Sequence, residues 1–167
     1  HHAVRKAAGL FDISHMGEVF VSGASAVNFL NWVLTNNVCD LEHGQAQYSL
    51  MCNQSGGVVD DLYIYRVGPD KFLLIINASR IGPDMNWLQE KLTEFEERDH
   101  VSLKNASSGY AAVAVQGPAV AGFIDDAITG SGQIKKSRPT DLKKNEMDAF
   151  MIEGQEIFIA RTGYTGE

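Results

Sequence analysis

Two adjacent aspartates, Asp60 and Asp61, follow a Gly-Gly pair and open an alternating run that contains Tyr63 and Tyr65. Because side chains alternate between the two faces of a strand, Asp61 shares a face with both tyrosines, and Asp60 falls on the opposite, apolar face. A carboxylate beside two phenols is typical of a pocket wall for a flat, polar heteroaromatic ligand. The alternative is that both aspartates merely finish the Gly-Gly turn, and the pattern alone favours that alternative.

A second polar segment, FDISHMGE at residues 11–18, combines turn-forming residues with a histidine and a methionine. Asp12 or Ser14 could close a turn there, and His15 could act as an acid or base, although a single histidine more often has a structural role. Met16 fits either a core or a soft pocket wall.

Two further positions could contact a ligand. Asn77 ends an apolar run, where its amide offers an acceptor and donors to a ring edge, or else caps the following turn. Tyr164 lies between Gly163 and Gly166, a spacing that lets the backbone approach a ligand but also fits an ordinary turn. The Lys-Ser/Thr of a phosphate-binding loop is missing.

The overall composition narrows the class of protein. The chain has 167 residues, a net charge of −7 and 44% hydrophobic residues. That length suits one domain or two small ones, and the acidic charge argues against general nucleic-acid binding. No apolar run reaches the roughly 18 residues of a membrane span. Cys39 and Cys52 lack any paired metal-ligand spacing, so we expect reduced, semi-buried thiols and no metal site.

The periodicity predicts the elements that position these residues. Apolar residues at helical spacing predict helices over residues 24–34 and 83–98, the second with Pro83 in its first turn. Turn signals at residues 56–57 and 68–70 separate strands that should form an antiparallel meander. We expect its strands at residues 48–52, 58–67 and 72–77, with a further short strand at 17–21.

The C-terminal third follows a different pattern. A buried strand at residues 111–115 is expected to lead into a short helix ending near residue 127, followed by a polar loop over residues 131–144. Strands at residues 150–153 and 157–161 should form a hairpin around Gly154. Together, the predicted helices and strands indicate an α+β fold with antiparallel sheets and flanking helices.

Six segments, in order and with characteristic gaps, resemble the aminomethyltransferase family, the T-proteins of the glycine cleavage system. They are AGLFDISHMGE at 8–18, GQAQYSLM at 44–51, GGVVDDLYIY at 56–65, NAS at 77–79, VQGP at 115–118 and RTGYTGE at 161–167. The resemblance covers nearly the whole chain but only about the first half of a typical member. It implies a partial folate-binding region over residues 1–167, truncated at both ends, with the C-terminal β-barrel part missing. Two interleaved subdomains are possible within it, one centred on residues 45–105.

The resemblance also implies a reaction. Tetrahydrofolate, as co-substrate, accepts the methylene of an aminomethyl group carried on the lipoyl sulfur of the H-protein, and ammonia leaves. The key carboxylate of the family matches Asp61, which positions and helps to activate the attacking folate nitrogen. The pocket lining matches Met16, Tyr48, Tyr65, Ile75, Asn77 and Tyr164.

Three alternatives remain open. The chain could be the folate-binding module of a dimethylglycine- or sarcosine-type oxidase, a non-catalytic folate-binding protein of the same fold, or a plain structural domain. The family also uses an acidic residue and arginines beyond Glu167, so the resemblance implies that this chain alone lacks part of the pocket. The implied location is the cytoplasm for a bacterial source and the mitochondrial matrix for a eukaryotic one.

Overall fold

The computed structural model describes residues 1–163 and places them in two compact units. One unit contains residues 14–111, and the other contains residues 1–13 together with the described residues from 112 onward. The helices are α1 (His2–Lys6), α2 (Ala26–Val33) and α3 (Ile81–Glu94). The strands are β1 (Gly9–Asp12), β2 (Gly17–Ser22), β3 (Ala46–Cys52), β4 (Val58–Gly68), β5 (Lys71–Ile76), β6 (Ser102–Asn105), β7 (Val113–Gln116), β8 (Glu146–Ile152) and β9 (Gln155–Arg161). The mixed α+β class with antiparallel sheets is confirmed.

The unit of residues 14–111 is built on a five-stranded antiparallel sheet in the order β3-β4-β5-β2-β6. The predicted meander is confirmed as β3, β4 and β5. The strand predicted at residues 17–21 is also confirmed, as β2, and it pairs with β5 on one side and β6 on the other. The sequence pattern did not predict strand β6, which completes the sheet beside β2.

Helices α2 and α3 contribute to the hydrophobic core on one face of this sheet. From the sheet, Val19, Ile64 and Leu74 are fully buried in that core, where they join Phe29 of α2 and Leu88 of α3. Each such side chain contributes about 1.5–3 kcal/mol by leaving water. Because side chains alternate along each strand, the residues between these core positions lie on the opposite face of the sheet.

The two predicted helices are confirmed, with different ends. Helix α2 occupies residues 26–33 of the predicted 24–34. Helix α3 begins at Ile81, two residues before Pro83, and ends at Glu94 rather than continuing to residue 98, because Phe95 takes an extended conformation with φ −77° and ψ 131°.

The other unit contains two separate antiparallel pairs, β1 with β7 and β8 with β9. Residues 9–12 form strand β1, and the turn expected within residues 11–18 lies at Ser14 and His15, just after that strand. The expected burial of the strand at residues 111–115 is wrong: β7 belongs to a two-stranded ribbon and its Val113 is 57% exposed. The helix expected to end near residue 127 is a pair of short 3₁₀ turns.

The predicted hairpin is confirmed, and its turn has Glu153 at φ 48° and Gly154 at φ 80°. The polar stretch at residues 131–144 is a loop, as expected, with a 3₁₀ turn at Pro139–Asp141. Both cysteines are free, but Cys39 is exposed rather than semi-buried. Among residues 1–163, no helix combines the length and apolar character that a membrane crossing needs.

Candidate functional site

The face of the five-stranded sheet opposite the helices carries a row of aromatic and polar side chains. Tyr48 of β3 pairs with Tyr63 of β4, Tyr63 pairs with Ile75 of β5, and Ile75 pairs with Glu18 of β2. Directly paired residues lie on the same face of a sheet, so these four side chains cross it side by side. Tyr65, two residues beyond Tyr63, lies on the same face. We call this surface the tyrosine face.

The three tyrosines contact one another on this face. The rings of Tyr48 and Tyr63 meet edge-on with centroids 5.9 Å apart, and the centroids of Tyr63 and Tyr65 are 6.1 Å apart. Tyr65 is buried, Tyr63 is half-buried and Tyr48 is 45% exposed. The face is thus an aromatic wall that opens to solvent along β3, which suits packing against a planar ring.

Asp60 and Asp61 lie inside strand β4 and do not close the turn before it. That turn is closed by Asn53, whose Oδ1 accepts hydrogen bonds from the backbone N–H groups of Ser55 and Gly57 at 3.1 and 2.9 Å. The interpretation of the two aspartates as turn residues is therefore wrong, because another side chain already satisfies the turn. Both carboxylates are half-buried.

Asn77, immediately after β5, ties the two aspartates together. Its Nδ2 donates to Oδ1 of Asp60 at 3.0 Å and to Oδ1 of Asp61 at 3.1 Å, and it lies 3.2 Å from the backbone oxygen of Asp61. Asn77 is the residue before the 3₁₀ turn Ala78–Arg80, but its side chain makes no capping bond there. The turn-capping alternative for Asn77 is thus wrong, and its amide nitrogen orients the carboxylates.

A third carboxyl, Asp84, lies behind this pair in the first turn of α3. It is fully buried, and its Oδ1 is 3.6 Å from Nε of Arg80. Burial, the adjacent Asp60 and the charge of Asp61 together raise the pKa of Asp84 to about 7, although Arg80 opposes that shift.

A fourth acid, Glu18, is buried on the tyrosine face beside Ile75. Only 4% of it is exposed, and its Oε2 has no hydrogen-bond partner among the described residues. Burial raises the pKa of this carboxyl. Glu18 therefore gives the face a buried carboxyl whose Oε2 can accept a hydrogen bond from a ligand or, when protonated, donate one.

The structure brings most of the predicted site residues together. Tyr48, Asp61, Tyr65 and Ile75 project from neighbouring strands, and Asn77 contacts Asp61 directly. Met16 is half-buried and directly precedes β2. Because Gly17 pairs with Ile76 in the antiparallel register, Met16 lies beside Asn77 at the end of these two strands. His15 is exposed. Tyr164 lies outside the described residues.

Sequence reasoning missed two acids near this site, and a signal existed for each. Glu18 alternates with Val19 in β2, so a strand prediction already turns it away from the core. Asp84 precedes Leu88 by four residues and Leu92 by eight, so it falls on the buried stripe of α3. A carboxylate on an apolar stripe is unusual and therefore informative.

Chemically, the arrangement offers one oriented carboxylate, Asp61, beside an aromatic wall. Such a carboxylate can accept a hydrogen bond from a ring nitrogen, take up its proton or stabilise a nearby cation. Within residues 1–163, no group of three or more His, Cys, Asp or Glu side chains is arranged to hold a metal ion.

Solved structures share this fold. The crystal structure of glycine cleavage system aminomethyltransferase T from Bartonella henselae matches with a TM-score of 0.77 at 32% identity, covering 99% of this chain and 41% of that one. The heterotetrameric sarcosine oxidase of Corynebacterium sp. U-96 matches with a TM-score of 0.65 at 15% identity, covering 96% of this chain and 75% of that one. The second likeness concerns the fold alone.

Sequence comparison narrows the class to one family. Residues 1–167 match the GCVT N-terminal domain, and the chain belongs to that family. It is 45% identical over 167 residues to the aminomethyltransferase of Chlorobaculum tepidum, and 42% identical over 168 residues to that of Halalkalibacterium halodurans. Each alignment covers 100% of this chain and 43% of the relative, so the chain spans less than half the length of these relatives.

Proposed function

We propose that the protein carrying this chain is the aminomethyltransferase of the glycine cleavage system, with tetrahydrofolate as co-substrate. The observation that carries the proposal is the Asp61 carboxylate, which Asn77 holds at 3.1 Å beside the wall of Tyr48, Tyr63 and Tyr65. A planar, hydrogen-bonding pterin needs both parts of this arrangement, an aromatic surface and a fixed acceptor.

In the proposed reaction, the H-protein presents an aminomethyl group on the sulfur of its lipoyl arm. Two tetrahydrofolate nitrogens bind the methylene carbon as its bonds to the amine and to sulfur break. The two protons lost from those nitrogens balance the products, one in ammonia and one on the lipoyl thiol. The products are 5,10-methylenetetrahydrofolate, ammonia and dihydrolipoyl H-protein.

Asp61 accepts the hydrogen bond of the attacking folate nitrogen and holds that nitrogen toward the methylene carbon. Its negative charge also stabilises the cationic, iminium-like carbon that develops as a leaving group departs. Because Asp61 lies on a strand and its side chain is fixed by Asn77, little reorganisation is needed at the moment of reaction.

The remaining pocket residues provide shape. Tyr48 and Tyr65 pack against the pterin, and Ile75 and Met16 supply apolar walls. Asn77 lines the pocket and at the same time orients Asp61, because its amide nitrogen donates to the aspartates. By its place in the RTGYTGE segment, Tyr164 is also proposed as a folate-binding residue.

The oxidase module is the second candidate, since the sarcosine oxidase likeness shows that another class of enzyme uses this fold. It is not favoured, because aminomethyltransferases match at 38–45% identity over essentially the whole chain, against 15% for the oxidase. Those aminomethyltransferases are bacterial, which supports a cytoplasmic location for the proposed enzyme.

The proposal is tested with a full-length chain that contains this region, mixed with aminomethyl-lipoyl H-protein and tetrahydrofolate. We expect ammonia and 5,10-methylenetetrahydrofolate to form in equal amounts, and neither to form when tetrahydrofolate is omitted. Methylene transfer from a sarcosine-derived iminium, with none from the H-protein, would instead support the oxidase module.

A further inference from the structure

Asp84 is buried far more completely than acidic residues in the first turn of a helix usually are. It lies in the first turn of α3 with 0% exposure, and neither carboxyl oxygen has a hydrogen-bond donor among the described residues. Its ion pair with Arg80 spans 3.6 Å, and 41% of the arginine side chain is exposed, so that pair is long and partly solvated. A buried ionised carboxylate with so little support is costly.

Asp60 is the neighbouring carboxyl that could hydrogen-bond with Asp84. Its Oδ1 accepts from Asn77, but its Oδ2 is buried and lacks a hydrogen bond among the described residues. Two carboxylates side by side repel each other, and neither can donate while both are ionised. A single proton held between them removes the repulsion and gives both orphaned oxygens a hydrogen bond.

We infer that Asp84 is a neutral carboxylic acid that donates its proton to Asp60, and that it acts as a positioning residue for Asp61. The chain of contacts runs from Asp84 to Asp60, from Asp60 to Nδ2 of Asn77, and from that nitrogen to Oδ1 of Asp61. Through it, the protonation of a buried acid on α3 determines the orientation of the carboxylate on the tyrosine face. The kinetic part of this inference rests on the proposed function.

The charged groups around Asp84 support this assignment. Asp60 faces it from β4, and Asp61 adds its charge from the other face of that strand, so both favour the neutral acid. Arg80, from the turn before α3, favours the charged form. Burial is the largest cause and acts in the same direction as the two aspartates, so the pKa of Asp84 is raised to about 7. Below that pH the acid keeps its proton and the chain of hydrogen bonds is complete.

The first test measures unfolding by urea as a function of pH for the 167-residue chain and its Asp84→Asn variant. The folded pKa lies above the ordinary value of 3.8, so this group stabilises the fold fully below pH 3.8, and its contribution is lost as pH rises through about 7. We therefore expect the urea midpoint of wild type to fall relative to Asp84→Asn between pH 4 and 8. A constant difference over that range would overturn the neutral-acid assignment.

Two comparisons make this result specific. Glu90→Gln removes an exposed acid from the same helix and should follow the wild-type pH dependence. Burial, the largest cause of the raised pKa of Asp84, remains in Asp60→Asn, so that variant should retain part of the pH dependence. A dependence that persists in Asp84→Asn and disappears in Asp60→Asn would overturn the assignment to Asp84.

The second test measures methylene transfer in the full-length protein. Asparagine retains an N–H donor for Asp60, so Asp84→Asn should keep kcat within about threefold of wild type, whereas Asp84→Ala should lower kcat about tenfold or more. The KM for tetrahydrofolate should change little in either variant. In the wild type, kcat should also fall as the pH rises above 7, whereas the pH profile of Asp84→Asn should show no such fall.

An equal loss of kcat in the asparagine and alanine variants would overturn the positioning role. A fall of kcat above pH 7 that remains in Asp84→Asn would overturn it as well. Absence of methylene transfer by wild type would overturn the proposed function, and the unfolding comparison would still decide where the proton lies.

Discussion

At the scale of single residues, the site depends on how one amide nitrogen is shared. Nδ2 of Asn77 contacts a carboxylate oxygen from each of two sequential aspartates. Alternation sends Asp60 toward the helix side of the sheet and Asp61 toward the tyrosine face, so Asn77 links the two faces at the end of β5. This link separates their positions: Asp60 lies on the core side of the sheet, and Asp61 lies on the tyrosine face, where we propose that the ligand binds.

Replacement of Asp61 by asparagine should abolish most of the chemistry while leaving the fold intact. The amide keeps the shape but cannot accept the proton or stabilise a cation, so we expect kcat for methylene transfer to fall about 100-fold or more. Stopped-flow or single-turnover transfer measures this directly. Asp70→Asn, at an exposed turn, is the matched control and should retain wild-type kcat; a normal rate in Asp61→Asn would contradict the assigned role.

Several of these residues can be found from the sequence alone. The period-2 pattern placed Asp61 with Tyr63 and Tyr65, and family resemblance added Tyr48, Ile75 and the others. The role of Asn53 in closing the turn was missed, because Asn and Asp both suit turns and the pattern does not say which one is used. The pairing of Asp84 with Asp60 joins residues 24 positions apart, which no local pattern can reveal.

At the scale of elements, local signals gave the meander but not the complete sheet. Turn residues at 56–57 and 68–70 predicted β3, β4 and β5 in order, because adjacent strands joined by short turns pair with each other. The insertion of β2 between β5 and β6 depends on contacts across more than 50 residues. The burial error at β7 has a similar origin, since burial depends on what covers a strand.

One carboxylate organises the loop before β8. Asp148 is fully buried and accepts four backbone hydrogen bonds of 2.7 Å, from Ile134, Lys135, Lys136 and Ala149. Burial alone would raise the pKa of Asp148, but these hydrogen bonds outweigh burial and lower it below 3.8.

Asp148→Asn should therefore destabilise the chain by about 2–4 kcal/mol at neutral pH, since an amide offers one acceptor and turns donors toward N–H groups. Because the folded pKa is depressed, the contribution of Asp148 is present above pH 3.8 and is lost as pH falls through the folded value. Urea unfolding at pH 7 and pH 2.5 should show a smaller difference between wild type and variant at the lower pH. Asp126→Asn, an exposed control, should show little difference at either pH.

The turn after β2 needs a glycine. Gly23 has φ 121°, and a Cβ there would clash with the backbone oxygen of His100. Gly23→Ala should destabilise the chain by about 2 kcal/mol or more, because both the conformation and the contact forbid a side chain. Gly82→Ala in α3 meets no atom within 4 Å and should be neutral or stabilising by up to about 1 kcal/mol. Thermal unfolding distinguishes the two, and equal effects would contradict this account of the turn.

At the scale of the whole molecule, the tyrosine face is carried entirely by the unit of residues 14–111. That unit has its own core beneath α2 and α3. Strands of its sheet hold Tyr48, Asp61, Tyr65 and Ile75, and Met16 and Asn77 directly flank two of those strands. The chain also spans less than half the length of its aminomethyltransferase relatives, and folate affinity is therefore best measured in a full-length protein.

The most direct test of the tyrosine face is tetrahydrofolate binding by isothermal titration to full-length wild type, Tyr48→Ala and Trp32→Ala. Tyr48 is 45% exposed and Trp32, on α2, is 50% exposed, so the substitutions remove comparably exposed aromatic rings from different parts of the unit. Stacking on an aromatic ring contributes about 1–3 kcal/mol, so Tyr48→Ala should raise Kd about tenfold or more while Trp32→Ala leaves it unchanged. An unchanged Kd in Tyr48→Ala, or an equal rise in both variants, would contradict the assignment of this face to folate.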